Sequence, residues 1–248
     1  MAAALVVLLL LGGWQLYCEL GGIDPIILPS PTDILQSLWD DRALLWSQFL
    51  VTAGEMLMGL AVAAVLGVLL AVVLHLSPAL RRALYPLLIG SQTIPIPILA
   101  PLLVVWLGFG AGPKVLIVAL VCFFPIVVPT LDALDGSPPA RDRVLRTLGA
   151  SRWQRLRYAE APEALPGLLT GAKLSVAVAA IAAVLAEQSG SSEGLGHLIA
   201  QAIPQLDTAR AWAAVVVLSA FAILLFAALA VVERRFVPWS HRSRGSRP

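Results

Sequence analysis

Charge is scarce in this sequence. Asp, Glu, Lys and Arg make up 13% of its 248 residues, about half the share of an ordinary soluble domain. With 59% hydrophobic residues, that scarcity excludes a typical soluble enzyme and indicates an integral membrane protein. Lysine is scarcer still: Lys114 and Lys173 are the only two, followed by Val115 and Leu174. A nucleotide-binding loop needs Gly-x-x-x-x-Gly-Lys-Ser/Thr to hold phosphates, so the chain carries no such site. Histidine occurs at His75, His197 and His241, far apart, and His-Glu-x-x-His is absent, which argues against a membrane-embedded zinc protease. Cys18 and Cys122 lie in or beside apolar runs without metal-ligand spacing and read as inert. No catalytic residue, metal site or bound cofactor is expected. The first apolar run lacks a basic lead-in and a small-residue cleavage site. It reads as a first span, short of a few residues at its start, rather than as a signal peptide. No internal repeat is visible, which disfavours a secondary transporter built on inverted repeats.

Long apolar runs are abundant. A spanning helix needs about 20 apolar residues, or about 17 at the short end. Six segments qualify or nearly qualify: 2–18, 50–74, 84–107, 114–134, 165–187 and 210–233. The expected fold is all-α and integral to the membrane, with six transmembrane helices in one domain over 1–236. The Ser/Arg/Pro-rich tail 237–248 reads as disordered. Pro95, Pro97 and Pro101 predict a kinked or broken third span. With the N-terminus in the cytoplasm, inside loops collect 14 of the 17 Lys and Arg residues, leaving Arg42, Lys114 and Arg210 outside. The positive-inside rule therefore puts both termini in the cytoplasm of a plasma (inner) membrane. In the first outside loop, Thr32 or Asp33 after Pro31 is the expected N-cap of a short helix. Its apolar residues Ile34, Leu35, Leu38 and Trp39 have helical spacing and predict that it lies on the outer membrane surface.

Residues 143–162 break the apolar pattern with an arginine-rich stretch between the fourth and fifth spans. Val144, Leu145 and Leu148 form a short apolar stripe, Gly149 permits a sharp turn, and Trp153 and Leu156 lie on a second short helix. Pro162 and Pro166 are expected to limit that helix before the fifth span. Two readings stay open: a docking surface, or a basic amphipathic helix resting on anionic lipid. Elsewhere, Ser91, Gln92 and Thr93 precede the Pro95/Pro97 break. Irregular backbone at membrane depth either lines a cavity or packs against neighbouring helices. Glu187 and Gln188 end the fifth span, where an ionisable residue is a functional candidate and solvation at the outer end is the competing reading. The same applies to Glu55. His75 and His197 fall in predicted loops and read as surface residues.

The ordered set of short motifs resembles the membrane component of binding-protein-dependent ABC importers, in the branch of nitrate, sulfonate, taurine and thiamine-pyrimidine-precursor permeases. The residues are Leu28-Pro-Ser-Pro31, Ser91-Gln-Thr-Ile-Pro95, Ala100-Pro-Leu-Leu103, Phe123-Phe-Pro125, Arg146-Thr-Leu-Gly-Ala-Ser-Arg-Trp153, Ala164-Leu-Pro-Gly167 and Gly194-Leu-Gly196. The resemblance implies a type I importer permease fold with a cytoplasmic coupling helix between helices 4 and 5. It implies a separate ABC ATPase subunit that binds the ATP, an extracytoplasmic substrate-binding protein, a homodimer in the bilayer, and no nucleic acid. Arg146, Thr147, Leu148, Gly149, Ala150, Ser151, Arg152, Trp153 and Pro162 would contact the ATPase. Leu148 and Trp153 would be apolar anchors; Arg146, Arg152 and Arg155 would supply rim charge. Ser91, Gln92, Thr93, Pro95, Pro97, Glu187 and Gln188 are candidates for the translocation path. The chain departs from the family where Glu-Ala-Ala becomes Arg143-Val-Leu145, where Ala159 and Ala161 replace Ile and Leu before Pro162, and at Glu55, where relatives carry a basic residue. Ser91–Pro95, Val121–Pro125 and Gln205–Thr208 stand closer to pyrimidine-precursor or riboflavin permeases than to sulfonate ones.

Overall fold

A computed structural model describes residues 2–137 and 139–238, with side chains over 5–137 and 140–238. Among the described residues every regular element is helical. In order these are α1 (Ala2–Leu20), α2 (Pro31–Asp40), α3 (Arg42–Leu76), α4 (Pro78–Ser91), α5 (Ile96–Leu107), α6 (Ala111–Asp135), α7 (Pro139–Thr147), α8 (Arg152–Arg155), a π-helical turn (Leu156–Glu160), α9 (Ala161–Gln188), α10 (Leu195–Ala202) and α11 (Thr208–Phe236). By length and composition, four helices can cross a membrane: α3, α6, the run Arg152–Gln188 and α11. The pair α4 and α5, bent by 99°, brings the total to as many as five. In α1 the apolar stretch Leu5–Leu20 is shorter than these.

The expected third span is thus two helices. Pro95 has no N–H to continue the ladder from α4, and it caps the start of α5 instead. The second span begins earlier than the apolar run suggests. Its 35 residues from Arg42 to Leu76 make a rod of about 52 Å, well beyond the ~30 Å hydrocarbon layer.

α6 lies between α3 and α9. The packing mixes large side chains with alanines. Met56, Ala63, Val118, Cys122, Ile126, Val176, Ala179, Ala182 and Ala183 form the central cluster. Gly167 and Gly171 form a small-xxx-small pair on α9, the pattern that lets helix backbones approach in a membrane. A methyl group on Gly167 would sit 2.6 Å from the Pro129 carbonyl oxygen, and one on Gly171 would strike that of Pro125. Pro125 and Pro129 stand inside α6. Neither has an N–H, so α6 persists through tertiary packing rather than its own complete ladder.

Several sequence expectations change here. Ser30, not Thr32 or Asp33, caps α2. Its hydroxyl accepts the Asp33 amide, the Asp33 carboxylate accepts the Ser30 amide, and Pro31 takes the first helical position. α2 also does more than lie on a surface: Ile34 is buried with Leu195, Leu198, Ile199 and Leu218. Lys114 is no loop residue but a buried member of α6, and Lys173 lies within α9, paired with Glu233 at 2.6 Å. Removing one lysine from each side of the charge tally leaves its asymmetry. Val237, assigned to the tail, is 1% exposed and closes α11; residues 239–248 of that tail lie outside the described residues.

Candidate functional site

The arginine-rich stretch folds as two short helices joined by a tight turn. α7 ends in a Schellman motif. Gly149 adopts φ +77, its amide donates to Arg146 O at 3.0 Å, and the Ala150 amide donates to Leu145 O at 3.0 Å. Ser151 starts α8 at once. Its hydroxyl accepts the Gln154 amide while the Gln154 side chain accepts the Ser151 amide, a complete capping box. Thr147 closes the last turn of α7 through its hydroxyl, which donates to Val144 O at 2.8 Å.

Asp142 binds the two helices together. Arg146 reaches it from one turn along α7 at 2.8 Å, and Arg155 reaches it from α8. Partial desolvation pushes the Asp142 carboxyl up, but the hydrogen bonds from Arg155 and Arg146 outweigh it and hold the carboxyl below its ordinary 3.8. With both helices fixed, the unit turns apolar groups outward. Leu148 is 76% exposed, Trp153 62% and Tyr158 72%. A shallow groove of about 350 Å³ runs beside Gly149, between Leu145, Leu148, Gln154 and Tyr158.

The root of this unit differs from the expectation for Pro162. The proline does not separate the second short helix from the fifth span. The helix runs without a break from Arg152 to Gln188. The Ala161 amide donates five residues back to Leu156 O, so the turn at Leu156–Glu160 is π-helical. That wider turn brings Pro162 to the start of the following α-helical stretch, where a missing N–H is tolerated. Pro162 is therefore part of the root, not of the turn at Gly149. Ion pairs fasten the root sideways. Arg141 of α7 pairs with Glu163, whose other oxygen accepts the Ser137 hydroxyl at 3.0 Å. His75 stands between Asp135 at 2.7 Å and Glu160 at 2.9 Å. It occupies the last turn of α3, not a loop.

Residues 63–238 match the family described as the inner membrane component of binding-protein-dependent transport systems. The chain belongs to this family. It is 35% identical over 233 residues to the formylaminopyrimidine transport permease protein ThiX of Halalkalibacterium halodurans, covering 94% of this chain and 93% of that one. It is 36% identical to the riboflavin transport system permease protein RibX of Chloroflexus aurantiacus, over 94% and 87% of the two chains. To the taurine transport system permease protein TauC of Escherichia coli it is 30% identical, over 93% and 86%. Its fold is similar to that of a chain from the MetNI methionine ABC transporter in an inward-facing conformation: TM-score 0.62, 21% identity, 85% of this chain and 99% of that one. The protein is a multi-pass inner-membrane permease subunit of a binding-protein-dependent ABC importer for small solutes, a transport subunit and not a catalytic one. Such a system implies an ATPase and a binding protein as partners.

In this permease the path candidates are dispersed. Ser91, Gln92, Thr93, Pro95 and Pro97 lie exposed at the 99° bend. The Ser91 hydroxyl donates to Leu88 O at 2.7 Å and that of Thr93 to Gly90 O at 2.8 Å, both within their own chain segment. Gln188 is exposed at one end of an apolar groove that also includes Val184, Val215 and Ser219. Glu187 is neither exposed nor solvated: it is 0% exposed. Its Oε2 accepts the Gly196 amide at 2.5 Å and its Oε1 accepts the Thr52 hydroxyl at 2.6 Å. Thr52 in turn accepts the Leu195 amide at 2.8 Å, and Gln48 accepts that of Gly194 at 2.5 Å. Three side chains from α3 and α9 thus satisfy the free amides at the start of α10.

Glu55, the other candidate near a span end, is likewise buried rather than solvated. It pairs with Lys114, whose ammonium also donates to Ser191 Oγ at 2.9 Å. The sequence carried a signal for this pair: isolated opposite charges in two apolar runs find each other in a membrane. The His75–Glu160 contact, 85 residues apart in sequence, had no such signal.

Proposed function

We propose that this chain, as one of two identical copies, forms the translocation path of an importer for ring-bearing small solutes of the formylaminopyrimidine or riboflavin kind. Residues 146–153 dock on the ATPase that binds the ATP. The observation that carries the docking role is the pairing of a stiff two-helix unit with exposed Leu148 and Trp153. A floppy loop would absorb a movement of the partner. A unit closed by a Schellman turn, a capping box and a shared carboxylate passes it on through the helix that begins at Arg152. Arg146 and Arg152 at the rim steer the encounter more than they add affinity. Arg143 stands where the family carries the glutamate of its Glu-Ala-Ala motif.

Six spans follow if α1 and the bent pair α4/α5 each cross once beside the four long helices. Both termini then share the cytoplasmic side with the arginine-rich unit, and a two-fold arrangement completes the path. The solute class is supported by the identities to ThiX and RibX, 35% and 36%, against 27% to the aliphatic sulfonates permease protein SsuC of Bacillus subtilis.

The test is co-purification of the ATPase with the wild-type chain and with Trp153→Ala in detergent. Removing a central aromatic anchor costs about 2 kcal/mol or more, so the variant should hold the ATPase at least tenfold more weakly. Undiminished binding sinks the docking role and favours the lipid-surface reading of the same helices. The solute is tested separately, by identifying what the binding protein encoded alongside retains; a sulfonate there would overturn the ring-bearing class.

A further inference from the structure

Movement at the Gly149 turn reaches α9 directly, because Arg152–Gln188 is one helix. Reaching α3 and α6 needs a lateral tie at the root. Besides the Ser137–Glu163 hydrogen bond just beyond α6, two ties at this level join the root to both α3 and α6. Leu156, 4% exposed, packs in a buried cluster that includes Leu74 of α3 and Leu131 and Leu134 of α6. Beside that cluster, His75 of α3 places Nδ1 at 2.7 Å from Asp135 Oδ1, the last residue of α6, and Nε2 at 2.9 Å from Glu160 Oε2 in the π-helical turn. The other Asp135 oxygen accepts from Arg81 of α4.

The two ties differ in kind. Apolar side chains hold helices together but can slide past one another, since the hydrophobic effect has no direction. Hydrogen bonds weaken steeply with angle and distance, so a ring held at both nitrogens fixes the relative position of its partners. Each ring nitrogen faces an oxygen of a different carboxylate, so one side chain contacts both partners at hydrogen-bond distance. The imidazole therefore spans three helices at one level: the end of α3, the end of α6 and the root of α9.

We infer that His75 is a positioning residue for energy coupling, bridging Asp135 and Glu160 so that the ends of α3 and α6 move with the docking unit. The inference rests on the docking role proposed above. Without the bridge, a displacement from the ATPase still enters α9, while the ends of α3 and α6 lag behind.

The experiment compares amide hydrogen exchange of the full complex, permease with its ATPase, in the nucleotide-free state and after trapping with ATP and vanadate. Wild type, His75→Gln, Glu160→Gln and the double variant are measured. In wild type, trapping should change exchange at 156–165, at 70–76 and at 130–135. In each variant the change at 156–165 should persist, while that at 70–76 and 130–135 shrinks by about fivefold, the lower range of a typical coupling. The double variant should match the singles, because one bridge is lost in all three. An undiminished response at 70–76 and 130–135 overturns the inference, as does an additive double variant. If both single variants fail to assemble with the ATPase, the bridge is a folding element and the inference falls. A wild-type complex that shows no change at 156–165 on trapping refutes the docking role itself, which separates the two failures.

Discussion

The side-chain carboxyl group of Glu187 accepts the backbone amide of Gly196 at 2.5 Å, closing the start of α10 with a buried acceptor. The helix leaves its first amides without internal partners, and a buried acceptor there satisfies one of them. Glu187 thereby joins α9 to α10, while Thr52 joins α3 to the same point.

Glu187→Ala should therefore destabilise the fold. A buried donor left without its partner costs about 1–3 kcal/mol, and two are stranded together. The expected outcome is a clear fall in the thermal midpoint of the purified permease, with Gln188→Ala, at an exposed neighbour, close to wild type. If Glu187 instead served the path, solute uptake would change with the midpoint intact.

Lys114→Met should be more damaging than its conservative volume suggests. It leaves Glu55 buried opposite an apolar side chain. Breaking a buried pair from one side costs about 3–5 kcal/mol, whereas replacing both partners is often neutral. Folded yield in detergent should collapse for the single variant and recover in Lys114→Met/Glu55→Gln. Equal yields for single and double variants would show that the pair carries no coupling.

Gly149 separates conformation from contact. A methyl group there meets nothing within 4 Å, yet the residue sits at φ +77. Gly149→Ala should cost only the left-handed backbone penalty, about 1–2 kcal/mol, and leave transport largely intact. Gly149→Pro cannot adopt that φ and removes the amide that donates to Arg146. Transport should fall while membrane insertion survives; unchanged uptake by the proline variant would count against the docking role.

How far these features were legible beforehand depends on their range. The apolar runs, the bend at Pro95 and the turn at Gly149 are local, and local chemistry announces them. The capping of α10 was hidden because Glu187, Thr52 and Gln48 come from distant segments. The continuity of α8 with α9 was hidden for another reason: Pro162 normally reads as a helix stop, and a single π turn overrides it. Periodicity showed Ile34 and Leu38 on one face of α2, but not that α10 and α11 would cover that face.

Acid should loosen the docking unit late. The Asp142 carboxyl is held below 3.8 in the folded chain. A depressed value means that stabilisation is fully present above 3.8 and is lost as pH falls through the lowered folded value. Exchange of the Gly149 and Ser151 amides should therefore show no added loosening of the unit down to pH about 4, and opening below that. In Asp142→Asn these amides should already exchange faster at neutral pH. An opening midpoint above 3.8 in the wild type would contradict the assignment.

The close approach at Gly167 and Gly171 has a consequence for the run Arg152–Gln188. Its 37 residues make a rod of about 55 Å, and the two glycines lie close to its midpoint. A rod held tightest at its centre behaves as a seesaw. A tilt of about 5° about that fulcrum swings each end by roughly 2–3 Å over a half-length of ~27 Å, in opposite senses.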